Sequence, residues 1–92
     1  MRDLVFFRKK IDKIDKKIIK NLQKRNEVLS GVAEYKLANN IEIENTSREE
    51  EILSKVRELV CEEESEYIVE IYKTILTESK KYQKKLNEEV NR

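Results

Sequence analysis

Four polar side chains fall where a helix should be apolar, and their types suggest a ligand. Arg25 lies seven residues after Ile18 and seven before Val32, and Lys36 lies seven after Leu29. Arg25 and Lys36 are eleven residues apart, about three helical turns, so they point in nearly the same direction. Two cations on a buried stripe are costly unless an anion pairs them. Farther along, Tyr72, Leu76, Ser79 and Gln83 share one face by steps of four, three and four. Ser79 and Gln83 are thus neutral hydrogen-bonding groups on an apolar stripe. Arg48-Glu49 opens another helical segment, where Glu suits the helix dipole and Arg opposes it. Together these residues describe a cationic pocket with neutral donors and one carboxylate, suited to a small dianion bearing hydroxyl groups. The pattern alone equally accommodates a blander arrangement. Glutamates of other helices would pair the cations, or Lys36 would snorkel from a solvated helix end. Arg48 would pair on the surface with Glu49 or Glu44, and Ser79 and Gln83 would make ordinary interhelical hydrogen bonds.

The composition removes most other chemistry. Ninety-two residues make one domain, expected to span 1–92. With no His there is no Ser-His-Asp triad, no Cys-His dyad and no His-ligated metal. The lone Cys61 forms neither an internal disulfide nor a Cys-rich zinc site, and reads as an ordinary thiol in a reducing compartment. A single Gly excludes a Gly-rich phosphate loop. The 20 Lys+Arg against 19 Asp+Glu leave a net charge of +1, which argues against nucleic acid as a partner. Lys9-Lys10, Lys16-Lys17 and Lys80-Lys81 therefore read as solvated helix faces. No apolar run approaches the roughly 20 residues of a membrane span, and the stretch Met1 to Arg8 is too short for a signal peptide. A soluble cytoplasmic protein is expected. As an enzyme it would need no metal and no cofactor, and would act by positioning and electrostatics.

The elements that must hold these residues are helical. The absence of Pro and Trp and the single Gly leave a β-fold without its turn residues. Leu4, Phe7, Ile11, Ile14, Ile18, Leu22, Leu29 and Val32 recur at helical steps and predict a first helix from about Asp3 to Asn39. Asn39-Asn40 ends it, since Asn tolerates the left-handed conformation. Ile41 to Asn45 is a loop with apolar anchors at Ile41 and Ile43. Thr46 or Ser47 is expected to cap a second helix, through a capping box with Glu49 or Glu50. That helix fades in Glu62-Glu63-Glu64, and Ser65 is expected to cap a third, whose tail frays after Gln83. The class is all-α: long, short, long. A first helix of about 55 Å exceeds the roughly 30 Å of a compact domain of this mass, so its apolar stripe needs a partner. A second copy of the chain is the simplest one, giving a helical homodimer.

The order of these residues resembles the all-helical (AroQ-type) class of chorismate mutases. Arg8-Lys9-Lys10-Ile11-Asp12-Lys13-Ile14-Asp15 is similar to the family's opening R-x-x-I-D-x-I-D. The similarity continues through Ile18-Ile19, Leu22, Arg25, Val32-Ala33 and Lys36, then Arg48-Glu49, then Tyr67-Ile68, Ser79 and Gln83. It runs from about Phe7 to Gln83, with a slightly shorter stretch between the second and third helices. The resemblance implies three helices per chain intertwined into a homodimer, with Arg8 contributed to each site across the interface. It implies conversion of chorismate to prephenate by a cofactor-free Claisen-type rearrangement, leading to phenylalanine and tyrosine in the shikimate pathway. Arg25 and the partner chain's Arg8 match carboxylate-binding arginines, and Ser79 matches a further carboxylate donor. Lys36 and Gln83 match the donors to the ether oxygen. Glu49 matches the acceptor for the ring hydroxyl, and Arg48 an orienting group. Asn45 stands where several relatives have Asp. An isochorismate-pyruvate lyase on the same scaffold is the nearest alternative, and a non-catalytic helical dimerisation module another. At this length the chain is expected to lack the dehydratase or dehydrogenase domains that some relatives carry.

Overall fold

Helix α1 runs from Leu4 to Ala38, α2 from Thr46 to Leu59 and α3 from Glu62 to Val90. They lie within residues 2–90, which the computed structural model describes; the two ends of the expected 1–92 domain fall outside these residues. The described residues contain no strand, and the arrangement is the expected long, short, long.

Helix α1 is started by Asp3, whose carboxylate accepts the Phe6 N–H at 3.0 Å. It then continues for 35 residues without a break. Gly31 lies inside it, and a Cβ added there would meet nothing within 4 Å. The stop is the one expected from Asn39-Asn40. Asn40 takes a left-handed conformation at φ 54°. Its N–H reaches the Leu37 carbonyl at 3.4 Å, and the Ile41 N–H reaches the Lys36 carbonyl at 2.8 Å. This is a Schellman motif, which satisfies carbonyls that the helix end would otherwise orphan.

Three expectations about the shorter elements are corrected. Asn45 caps α2, with an extended backbone and its side chain accepting the Arg48 N–H at 3.1 Å. Thr46 and Ser47 fall inside the first turn, so neither expected capping box forms. Asn, Ser and Thr have similar capping strength, so where the loop enters decides among them. The acidic run does not end α2. It begins α3, because three carboxylates in a first turn complement the helix dipole, and Ser65 is therefore interior. Helix α3 also stays helical beyond Gln83 to Val90; Leu86 and Asn87 are half-buried beside Ala33 and Leu37 of α1.

Helix α3 packs against both other helices, while α1 and α2 do not pack on each other. The buried apolar residues are Ala33, Val56, Val69 and Leu76, and Ser79 and Gln83 are buried among them. Ala33 at 1% exposure lets α1 and α3 approach closely, and Ser30 Oγ meets Tyr82 Oη at 3.2 Å beside it. The N-terminal half of α1 has no such cover. Phe7, Ile11, Ile14 and Ile18 are each at least half exposed, along the stripe that predicted the helix. The chain measures 58 × 28 × 14 Å, little more than one helix thick. Its radius of gyration is 16.8 Å, against about 12 Å for a compact chain of this length. A single layer cannot enclose a core by itself. None of the helices among the described residues is long and apolar enough to cross a membrane.

Gly31 marks unused helix stability. Gly31→Ala should stabilise the fold by about 0.5–1 kcal/mol in urea denaturation, since α1 offers the methyl space and a helical backbone. A loss of stability would mean that another chain lies against this position.

Candidate functional site

Because the backbones of α1 and α2 approach α3 and not each other, a gap stays open between them, and α3 forms its floor. The gap is a cavity of about 300 Å³, at the small end of the range for small-molecule sites. Helix α1 contributes Arg25 and Lys36; the loop contributes Ile43 and Asn45; α2 contributes Arg48 and Glu49; α3 contributes Ser79, Lys80 and Gln83. Val32, Ile52 and Leu76 supply apolar wall. Every residue singled out from the sequence is here except Arg8. That residue is exposed on the overhanging half of α1, 17 residues before Arg25, about 25 Å along the helix.

The side chains are already oriented. The Arg25 guanidinium donates through Nη1 to Ser79 Oγ. Ser79 in turn donates its hydroxyl proton to the Ile75 carbonyl at 2.6 Å. The two bonds run in one direction and strengthen each other, so the serine holds the cation at the cavity wall. Gln83 is 6% exposed. Its Nε2 donates to the Ser79 carbonyl at 3.3 Å, and its Oε1 has no partner among the described residues. A buried amide left half-satisfied beside a cavity has hydrogen-bonding capacity for a ligand.

Lys36 is tied to the loop twice. Its carbonyl takes the Ile41 N–H in the Schellman motif, and its Nζ donates to the Ile43 carbonyl at 3.0 Å. An ammonium has three protons, so two remain for a ligand. Of the two expected loop anchors, Ile43 is half-buried and lines the cavity, whereas Ile41 is exposed.

Glu49 faces Lys80, with Oε1 3.1 Å from Nζ, and Glu44 Oε1 lies 3.3 Å from the same atom. These carboxylates, Glu49 first, hold the Lys80 ammonium above its ordinary value of 10.5. A folded-state value that is raised stabilises the fold below 10.5, and the gain fades only as pH climbs past that value. The pair is thus intact at neutral pH. Arg48 turns away from the partners expected for it. Its Nη1 donates to Glu51 Oε1 at 2.8 Å, and Lys55 lies 3.2 Å from the same oxygen. Lys55, then Arg48, keeps the Glu51 carboxyl below the usual range. This cluster is more than half exposed and contributes little to stability.

The cavity thus collects four cations and one carboxylate from a chain whose net charge is +1. It offers positive charge and hydrogen bonds to an anionic ligand. The sequence reading missed Lys80, taken there for a solvated face. The signal was its spacing: Leu76, Ser79, Lys80 and Gln83 stand at i, i+3, i+4 and i+7 on one helix face. It also missed that Asn45 is a cap as well as a wall residue.

The family model described as Chorismate mutase type II matches residues 7–84. Three curated proteins are similar along most of the chain. A bifunctional chorismate mutase/prephenate dehydratase of Buchnera aphidicola subsp. Acyrthosiphon pisum is 39% identical over 85 residues, which cover 90% of this chain and 22% of that protein. Its counterpart in Buchnera aphidicola subsp. Schizaphis graminum is 37% identical over 86 residues, covering 91% and 22%. A chorismate mutase of Methanocaldococcus jannaschii is 38% identical over 89 residues, covering 94% of this chain and 89% of that protein. The chain therefore spans about a fifth of the length of the two bifunctional relatives. No solved structure matches at the same stringency.

The dual position of Asn45 is testable through stability. Asn45→Ala should cost about 1 kcal/mol in urea denaturation, while Asn45→Asp, which caps as well, should stay near the native value.

Proposed function

Since the chain belongs to the chorismate mutase type II family, we propose that its cavity converts chorismate to prephenate. In this rearrangement one carbon–oxygen bond breaks while one carbon–carbon bond forms within the same molecule. It calls for no nucleophile, proton transfer or cofactor. The protein's work is to hold the reactive conformer and to stabilise negative charge building on the ether oxygen. The observation that carries this reading is the cavity itself. It gathers Arg25, Lys36, Asn45, Arg48, Glu49, Ser79 and Gln83 from all three helices and the loop, over an apolar wall.

The roles follow from the donors present. Arg25, held by Ser79, gives a planar fork for one carboxylate. Lys36, with protons to spare, and the second N–H of Gln83 Nε2, whose first is bonded to the Ser79 carbonyl, donate to the ether oxygen. Glu49 accepts from the ring hydroxyl, and Arg48 and Asn45 shape the entrance beside it. The second carboxylate needs another cation, and Arg8 of a second copy is our candidate. Residues 1–92 would then act as one domain of a cytoplasmic homodimer whose chains intertwine along α1. Two features support the dimer. The stripe Phe7, Ile11, Ile14 and Ile18 is uncovered, and the chain is one layer thick.

Purified protein should consume chorismate, followed by loss of its diene absorbance, with prephenate identified by acid conversion to phenylpyruvate. Turnover of isochorismate to pyruvate and salicylate in its place would make the chain a lyase. Lys36→Ala should lower kcat about a hundredfold or more; a change in KM alone would remove Lys36 from the ether oxygen.

The shared site has its own test. Arg8→Ala and Lys36→Ala dimers should each be nearly inactive. Subunit exchange between them should restore about a quarter of native activity, because each mixed dimer holds one complete site. No recovery in dimers shown to have exchanged would place Arg8 outside the partner's site.

A further inference from the structure

Lys80 is a cation of the cavity to which neither the sequence pattern nor the family resemblance gives a role. Its Nζ bridges two carboxylates from different elements: Glu44 of the loop at 3.3 Å and Glu49 of α2 at 3.1 Å. Lys80 itself stands on α3, so the bridge ties the floor of the cavity to its wall. The Lys80 and Glu49 side chains are 25% and 24% exposed. Both are more sheltered than the surface pairs of this chain, such as Arg48–Glu51 at 55% and 53%. The ion pair uses Glu49 Oε1, which leaves Oε2 for another donor.

We propose that Lys80 is a positioning residue for the reaction, holding Glu49 toward the substrate hydroxyl and offsetting that carboxylate's charge beside the dianion. This inference rests on the function proposed above. A carboxylate a few ångströms from a doubly negative ligand repels it, and in a half-buried site that repulsion is weakly screened. A cation on the same carboxylate cancels much of it. The bridge to Glu44 matters as well: it fastens the loop that carries Ile43, the backbone partner of Lys36. The hydroxyl acceptor and the ether-oxygen donor are thus steadied by neighbouring parts of one strap. The spacing between Lys80 and its carboxylates, 36 residues for Glu44, is why the bridge needs the folded chain.

The test is steady-state kinetics with chorismate on the full chain, native and variant, with helicity and urea midpoints as folding controls. Lys80→Met keeps the stem and removes the charge. It should raise KM about three- to fivefold with kcat nearly unchanged. Lys80→Arg should restore most of the loss. In a Glu49→Gln background, where no charge needs offsetting, Lys80→Met should cost little further. A native KM in Lys80→Met, or in Lys80→Gln should the methionine variant fail to fold, overturns the proposal. So does an equal loss in both backgrounds, which would make Lys80 an independent substrate ligand. A native chain that leaves chorismate unconverted overturns the function reading and this role with it, whereas conversion with an insensitive Lys80 overturns this role alone.

Discussion

The bond from the Arg25 guanidinium to Ser79 joins the two long helices at the point where the cavity begins. It is a costly thing to place in a seam. A cation and a hydroxyl occupy positions that apolar side chains would fill with less desolvation. The seam tolerates them because the Ser79 proton goes on to the Ile75 carbonyl and the arginine borders the open cavity. The rest of the site is arranged around that junction. Gln83 lies one turn farther along α3, Lys36 three turns farther along α1, and the loop returns across the opening to place Glu49 opposite. A fold built for stability alone would have closed this gap between α1 and α2.

Much of this was legible in the chain, for reasons that differ by residue. Helix α1 was legible because its apolar steps persist from Leu4 to Val32, about eight turns. Asn40 was legible because few residues accept a positive φ. Arg25, Lys36, Ser79 and Gln83 stood out as polar groups in apolar registers, a contrast that needs no tertiary knowledge. What could not be read depended on where distant parts meet. Asn45, Thr46 and Ser47 are near-equal as caps, and the loop folded back on Lys36 brings Asn45 to the start of the helix. The acidic run was misread although Glu favours a helix start, because the break between α2 and α3 is only Val60 and Cys61 and carries no Gly or Pro. Lys80 beside Lys81 looks solvated until Glu44 and Glu49 arrive from elsewhere.

The division of labour along α1 is equally physical. Its C-terminal half spends apolar surface on α3 and carries two of the four cavity cations, Arg25 and Lys36. Its N-terminal half keeps an apolar stripe that this chain does not cover. Among the described residues no large side chain is fully buried, which is a thin core for 92 residues. In our reading association with a second copy covers that stripe, and the same association brings Arg8 to the site.

The two-residue joint at Val60–Cys61 also has a temporal meaning. It lets α2 and α3 meet as a local hairpin, with little chain entropy to overcome. The seam between α1 and α3 closes across a much longer stretch, 54 residues from Arg25 to Ser79. Loop-closure entropy thus favours local pairing ahead of distant docking. A molecule caught between these steps would hold Arg48, Glu49, Lys80 and Gln83 near one another and lack Arg25 and Lys36. In our reading the cavity is completed late, with the arrival of α1, because two of its four cations, Arg25 and Lys36, come with that helix.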